Sequence, residues 1–195
     1  MTLLTPDSAN HTASFSADGD FLVETYSTPV IPPVTVLRDR DGGQVMVLEE
    51  ADMSALQASG WQPPMPFSVK ARDGDTDLHG LLFRPSNFDP NQKYPVVNYQ
   101  YPGRQSGSVG SRSFRSSHRD LQAIAELGFV VIELDAMGTP NRSKTFHEAY
   151  YGNMGDNGLP DQMGGITQLA ERHEWIDAET VGIFGHSGGG FGAAD

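Results

Sequence analysis

The sequence contains no cysteine, few basic residues and no long apolar run. Without cysteine there is no disulfide, thiol nucleophile or thiolate metal site, but this absence does not tell a reducing compartment from an oxidising one. The 13 basic residues stand against 25 acidic ones, and the formal net charge of −12 repels phosphate backbones. The longest apolar run, near Phe129, is far shorter than the roughly 20 residues that cross a bilayer. We therefore expect neither a nucleic acid partner nor a membrane span.

The N-terminal residues carry no recognisable export signal. Met-Thr-Leu-Leu-Thr-Pro-Asp lacks the basic region, apolar core and small-residue cleavage site of a secretory signal. Either the protein is not exported or its true N-terminus is missing. Localisation therefore stays open, periplasmic or extracellular if a signal peptide precedes these residues and cytoplasmic otherwise.

One serine near the end of the chain stands between glycines and directly follows a short apolar run. The segment is Val181-Gly-Ile-Phe-Gly-His-Ser-Gly-Gly-Gly-Phe191, in which Gly185 and Gly189 lie two residues before and after Ser187. A buried parallel strand over Val181 to Phe184, a sharp turn and a helix would form the nucleophile elbow of an α/β-hydrolase. The spacing predicts Ser187 as the nucleophile, whereas the alternative is a glycine-rich turn with an idle serine.

Residues 1–60 have the pattern of short strands joined by tight turns. Asp18-Gly19 and Asp41-Gly42-Gly43 separate apolar and β-branched segments, which predicts an antiparallel meander. A short helix is expected over Ala51 to Ser59. The proline-rich stretch Trp61 to Pro66 predicts a linker and a domain boundary near residue 61.

Residues 61–195 change to strands that alternate with helices. A hairpin around Asp73-Gly74-Asp75 precedes strands at Tyr94 to Tyr99 and Phe129 to Leu134. One predicted helix presents Leu121, Ile124 and Ala125 on a single face, and a second presents Met163, Ile166, Leu169 and Ala170. The predicted fold class is α/β, the N-terminal half of an α/β-hydrolase domain. Because no sequence remains for strands beyond the elbow, we expect a fragment of a longer protein.

Several spaced motifs resemble those of the prolyl oligopeptidase family of serine peptidases, in its bacterial dipeptidyl peptidase IV branch. The motifs are His11 to Gly19, Glu24 to Ser27, Leu82 to Pro85, Tyr99 to Gly103, Asp135 to Thr139, Tyr150 to Gly155 and Asp161-Gln162. The resemblance implies that residues 1–60 are the last antiparallel strands of a β-propeller. It implies that residues 61–195 begin the catalytic domain.

The resemblance implies acyl transfer to a serine, with release of N-terminal dipeptides from peptide substrates. It places the triad aspartate and histidine downstream of the serine, outside this chain, so the chain alone is expected to be inactive. Asp195 lies too close to Ser187 to orient a histidine, and adjacent side chains diverge at a sharp elbow, which argues against His186 as the base. The alternatives are an esterase or acylaminoacyl peptidase on the same scaffold, or a non-catalytic fragment.

An oxyanion that forms at the serine needs two hydrogen-bond donors. The hydrolase fold supplies one from the backbone N–H after the nucleophile, here Gly188. The resemblance assigns the second to the hydroxyl of Tyr99. Tyr101 is a rival, predicted on the same strand face, and Tyr99 alternatively packs as a buried strand tyrosine.

Two positions depart from the best-known members of the family. Those members carry an aromatic residue where this chain has Gly188, and tryptophan where it has His186, so a preference for proline is less secure. The acids that bind a substrate's amino terminus are expected earlier in the propeller, and Glu49-Glu50 are read as a solvated pair. No cofactor or metal is expected, and the complete protein is compatible with a homodimer.

Overall fold

The computed structural model describes residues 3–103 and 105–194, which divide into two compact units. The first unit comprises the described residues up to Pro63 together with Ser111–Ser116. The second comprises those of Pro64–Gly110 and from Ser117 onward. Asp195 lies outside the described residues. Among the described residues, no helix has the length and apolar character that crossing a membrane requires.

The first unit is built on a four-stranded antiparallel sheet in the order β1-β2-β3-β4. Its elements are β1 (Asn10–Phe15), β2 (Phe21–Ser27), β3 (Val34–Asp39), β4 (Gln44–Glu50) and the short helix α1 (Ser54–Ala58). Tight turns join β1 to β2 and β3 to β4, and Gly19 and Gly42 adopt the positive φ angles that such turns require. The predicted meander is therefore present, with α1 shorter than expected.

A buried ion network holds the meander together. Glu24 is fully buried on β2 and accepts hydrogen bonds from the guanidinium of Arg38 and from His11. Arg38 also contacts Asp7, with 2.7 Å between the guanidinium nitrogen and the carboxylate oxygen. Because a buried carboxylate is costly without partners, these contacts fix the register of β1, β2 and β3.

The second unit is built on a five-stranded mixed sheet in the order β5-β6-β8-β7-β9. Its elements are β5 (Met65–Lys70), β6 (Asp77–Phe83), β7 (Tyr94–Tyr99), α2 (Leu121–Ala125), β8 (Val130–Asp135), α3 (Lys144–His147), α4 (Leu159–Arg172), β9 (Ile176–Phe184) and α5 (Gly188–Ala194). Strands β8, β7 and β9 run parallel, and β6 pairs antiparallel with β8. The carboxyl ends of three parallel strands therefore meet at one edge of the sheet.

The two faces of this sheet carry separate apolar clusters. One cluster joins Leu134 on β8 to Ile166 and Leu169 on α4, and the other joins Tyr99 on β7 to Leu121 and Ala125 on α2. Residues Val130 to Leu134 are all buried, as their lack of alternation predicts.

Three sequence expectations were wrong in detail. Met163 is 69% exposed, because it lies on the solvent side of α4 rather than on the face of Ile166 and Leu169. Val181 and Ile183 are 43% and 38% exposed, since β9 is the edge strand among the described residues. Tyr101 lies beyond the end of β7 at Tyr99 and is therefore not on the strand.

Candidate active site

Ser187 occupies the sharp turn between β9 and α5. Its φ angle is +55°, in the left-handed region that side chains other than glycine rarely adopt. The residue is exposed, and its carbonyl accepts the Phe191 N–H at 3.0 Å in the first turn of α5. A strained, exposed serine between a strand and a helix is the geometry of a nucleophile elbow.

Gly185 and Gly189 are the glycines that this turn needs. A Cβ placed on Gly185 would lie 2.5 Å from the carbonyl oxygen of Gln100, and one on Gly189 would lie 2.1 Å from the same oxygen. Gln100 directly follows β7, and its N–H donates to the Phe184 carbonyl at 3.1 Å. The backbone after β7 therefore supports the turn at contact distance, which only glycine permits.

Gly188 follows Ser187 as the first residue of α5. A Cβ placed on it would meet nothing within 4 Å, so no steric reason demands glycine here. The N–H at the first position of a helix has no acceptor within that helix. It is therefore free of helical bonding and available to a ligand at the elbow.

A cleft of about 510 Å³ opens beside the elbow. Gly185 and His186 contribute to its wall from the turn. The remaining lining residues are Tyr99, Tyr101, Ser106, Arg119, Asp120, Leu121 and Phe184. The cleft thus combines aromatic walls with a guanidinium and a carboxylate, and both candidate tyrosines reach it.

Tyr99 is the last residue of β7 and is 6% exposed. Its ring centroid lies 5.2 Å from that of Phe184, and the Arg119 guanidinium carbon lies 4.7 Å from the centroid of the Tyr99 ring. The Arg119 guanidinium also lies 3.4 Å from a carboxylate oxygen of the fully buried Glu133. These contacts fix the orientation of the Tyr99 ring at the edge of the cleft.

Tyr101 is half-buried and lies close to the backbone of the elbow. A Cβ placed on Gly189 would be 3.5 Å from the Tyr101 Cα. The Tyr101 N–H donates to the Ser108 hydroxyl oxygen at 2.7 Å. The loop after β7 is therefore held on one side by Ser108 and on the other by the elbow.

Asp135 lies against the loop that follows Tyr101, and the sequence motif that begins with it assigned it no role at the site. It ends β8 and accepts hydrogen bonds from three consecutive backbone N–H groups, those of Ser108, Val109 and Gly110, at 2.7, 3.0 and 3.2 Å. Burial raises the pKa of Asp135 to about 6 against the opposing effect of these bonds. An acidic residue at the carboxyl end of a buried parallel strand was the signal that could have identified it.

His186 and His118 lie in different surroundings. His186 is exposed on the elbow itself. His118 is buried, with its Nδ1 3.4 Å from a Glu133 oxygen and its ring 5.3 Å from that of Phe83. Within residues 3–103 and 105–194, no three histidine, aspartate or glutamate side chains are grouped to hold a metal ion.

Comparisons with known proteins agree with this geometry. The model of the Prolyl oligopeptidase family matches residues 114–194. These residues include α2, the elbow and β9, the strand that pairs with β7. Human dipeptidyl peptidase 8 is 31% identical over 198 residues, covering 98% of this chain. Residues 114–194 thus match the prolyl oligopeptidase family, and nearly the whole chain is similar to a dipeptidyl peptidase.

Solved structures extend the family likeness to both units. A Bacteroides ovatus structure described as a dipeptidyl aminopeptidase IV has a TM-score of 0.81 and 31% identity, covering 95% of this chain and 26% of that chain. Dipeptidyl peptidase 4 of Porphyromonas gingivalis has a TM-score of 0.77 and 27% identity, covering 97% of this chain and 27% of that one. The predicted fold class is confirmed: antiparallel propeller strands precede an α/β-hydrolase part.

The chain is much shorter than these family members. It covers 22% of human dipeptidyl peptidase 8 and 25% of dipeptidyl peptidase 4 of Trichophyton tonsurans. The match to prolyl oligopeptidase family members thus concerns about a quarter or less of each relative's length.

Proposed function

We propose that this chain carries the nucleophile of a serine peptidase that releases N-terminal dipeptides by acyl transfer. The observation that carries the proposal is the elbow, where Ser187 has a φ angle of +55° and both flanking glycines lie against the Gln100 carbonyl. In the complete peptidase the Ser187 hydroxyl attacks the peptide carbonyl, a histidine takes its proton and an aspartate orients that histidine. We propose that residues outside this chain supply the histidine and the aspartate.

The oxyanion that forms needs donors that are already in place. The Gly188 N–H is the first, because it directly follows the nucleophile and has no helical acceptor. A tyrosine hydroxyl is the second, from Tyr99 as the family resemblance implies or from Tyr101. The packing of Tyr99 against Phe184 and Arg119 suits a structural role. The Tyr101 backbone lies beside Gly189 in the elbow and the residue lines the same cleft, which favours Tyr101.

Kinetics of the complete peptidase test the nucleophile. Ser187→Ala is expected to lower kcat by at least about 10⁴-fold, because the remaining oxyanion donors give only residual catalysis. Ser68→Ala is the matched control, since its hydroxyl bonds the Leu78 carbonyl and lies outside the cleft lining. Activity that survives Ser187→Ala undiminished would refute the proposal.

A substrate panel tests the reaction type. The rates to compare are those on a dipeptide amide with a free amino terminus, a blocked amino acid amide and a short-chain ester. Preference for the first supports dipeptide release, preference for the second indicates an acylaminoacyl peptidase, and exclusive use of the third indicates an esterase. No turnover of any of them would favour a non-catalytic protein.

Variants that remove only the hydroxyl of each tyrosine show which of the two is the oxyanion donor. We expect Tyr101→Phe to lower kcat by about 10²-fold to 10³-fold, the usual cost of one oxyanion donor. Tyr99→Phe keeps the ring between Phe184 and Arg119 and is expected to change kcat by less than about 5-fold. The reverse result would assign the donor to Tyr99.

A further inference from the structure

The loop that follows Tyr101 is attached to the end of the neighbouring strand by one carboxylate. Asp135 Oδ1 accepts the N–H groups of Ser108 and Val109, and Oδ2 accepts that of Gly110. Three N–H groups aimed at one side chain form a small anion-binding concavity. Its ligand here is a residue of the chain itself, 25 to 27 residues away in sequence.

The approach of this loop to Asp135 depends on glycine. Gly107 has a φ angle of +67°, and a Cβ placed on it would lie 2.4 Å from Asp135 Oδ1. A side chain at position 107 would therefore push the loop off the carboxylate. The loop conformation and the carboxylate position are fixed together.

Ser108 transmits this attachment to Tyr101. Its N–H donates to Asp135 Oδ1 at 2.7 Å, and its hydroxyl oxygen accepts the Tyr101 N–H at 2.7 Å. Ser108 is 3% exposed, so little water competes for either bond. The path from the carboxylate to the tyrosine backbone thus contains two short hydrogen bonds and a single intermediate residue.

We infer that Asp135 is a positioning residue for the oxyanion tyrosine, which it holds at the elbow through Ser108. This inference rests on the proposed function and on Tyr101 as the donor. Asp135 touches no reacting atom in this account. It sets the place of the Tyr101 backbone, and so the distance between the phenol hydroxyl and the oxyanion.

The inference implies a pH dependence. Burial, with a smaller contribution from the nearby carboxylate of Glu133, raises the pKa of Asp135 to about 6 in opposition to the three N–H groups. Arg119 and His118 lie against Glu133, and Arg119 also lies 3.4 Å from the Ser108 carbonyl oxygen. Residues 105–110 contain no titratable side chain. Protonation of Asp135 below about pH 6 leaves fewer acceptor sites for the N–H groups of the loop, so the activity should fall there.

A double-mutant cycle in the complete peptidase tests the inference. Asp135→Asn is expected to lower kcat by about 10-fold to 100-fold with KM within about 3-fold, because the oxyanion donor acts in the transition state. In the Tyr101→Phe background the same change should cost less than about 3-fold, because the hydroxyl that it positions is already gone. The acid limb of kcat/KM should also become less steep in Asp135→Asn.

Asp161→Asn is the matched control. Asp161 is also buried and also accepts backbone N–H groups, those of Arg72 and Met137, without contacting the loop after Tyr101. Its effect on kcat should be the same with and without the Tyr101 hydroxyl. If Asp135→Asn does not fold, Ser108→Ala tests the same path by removing only the acceptor of the Tyr101 N–H, and Ser108→Thr should retain activity within about 3-fold.

Additive effects of Asp135→Asn and Tyr101→Phe, or of Ser108→Ala and Tyr101→Phe, would overturn the inference. So would full activity of Tyr101→Phe. If Ser187→Ala is inactive, any of these results leaves the proposed function standing. An active Ser187→Ala instead refutes the proposed function and removes the basis of the inference.

Discussion

The Gln100 carbonyl oxygen and Gly189 are in such close contact that a Cβ on Gly189 would lie 2.1 Å from that oxygen. Gln100 follows β7 and Gly189 lies in the first turn of α5, so the contact joins the loop after one strand to the helix after the neighbouring strand. It places Ser187 above the same loop that carries Tyr101. The strained turn and the tyrosine loop are therefore parts of one arrangement.

Gly189→Ala should displace this turn. A methyl group against a backbone oxygen forces a backbone shift, which typically costs about 1–3 kcal/mol and moves the serine. We expect a lower thermal transition in calorimetry and at least a 10-fold loss of kcat, on the order expected when a catalytic group is misplaced. Gly164→Ala on α4 is the control, because a Cβ there meets nothing within 4 Å. Equal effects of the two changes would contradict the steric account.

Arg72 should stabilise the second unit in a pH-dependent manner. It contacts Asp156 and the fully buried Asp161, and its hydrogen bond to Asp156 holds the pKa of that carboxyl below its ordinary value. A lowered folded-state pKa adds stability above the unfolded-state pKa of about 4, and this stability is lost as the pH falls through the folded value. We expect Arg72→Met to cost about 3 kcal/mol at pH 7 and clearly less below pH 4.

Denaturant titrations at several pH values measure this difference. Lys144→Met is the control, since the Lys144–Glu148 pair is solvent-exposed and its loss should change stability by less than about 0.5 kcal/mol. A cost of Arg72→Met that is the same at pH 7 and pH 3 would show that the ion pairs are not its source.

The Glu24–Arg38 pair should matter most when only one member is removed. Both side chains are buried, so Arg38→Met leaves a carboxylate without its principal partner and should cost about 3–5 kcal/mol. The double variant Glu24→Leu, Arg38→Met should be more stable than Arg38→Met alone. Thermal unfolding of the three proteins decides this, with the exposed Arg40→Met as control. A double variant that is no more stable than Arg38→Met would contradict the prediction.

The outer edge of β9 should make residues 1–195 prone to self-association when expressed alone. Val181 and Ile183 are 43% and 38% exposed on this edge strand of the described sheet, and unpaired strand edges bind other strands. Val181→Lys should lower the light scattering of the polypeptide. Thr167→Lys on the exposed side of α4 adds the same charge elsewhere and should not. Equal suppression by both would show that the edge of β9 is not the source of the association.

The sequence predicted most of the elements and the sharp turn at Ser187 because their signals are local. Glycines at fixed distances from Ser187 and the unbroken apolar stretch of β8 each fall within about ten residues. The Asp135 contacts could not be predicted in this way, because they join residues 25 to 27 apart and depend on how β7 and β8 align. Two other features could not be predicted for the same reason. They are the position of Tyr101 beyond the end of β7 and the membership of Ser111–Ser116 in the first unit.

Peptide mapping of the complete peptidase after reaction with a fluorophosphonate shows whether Ser187 is the nucleophile. We predict one phosphonyl adduct, on the hydroxyl of Ser187, formed in parallel with the loss of peptidase activity and absent from Ser187→Ala. An adduct on a different serine that tracks the loss of activity, with Ser187 unmodified, would contradict it.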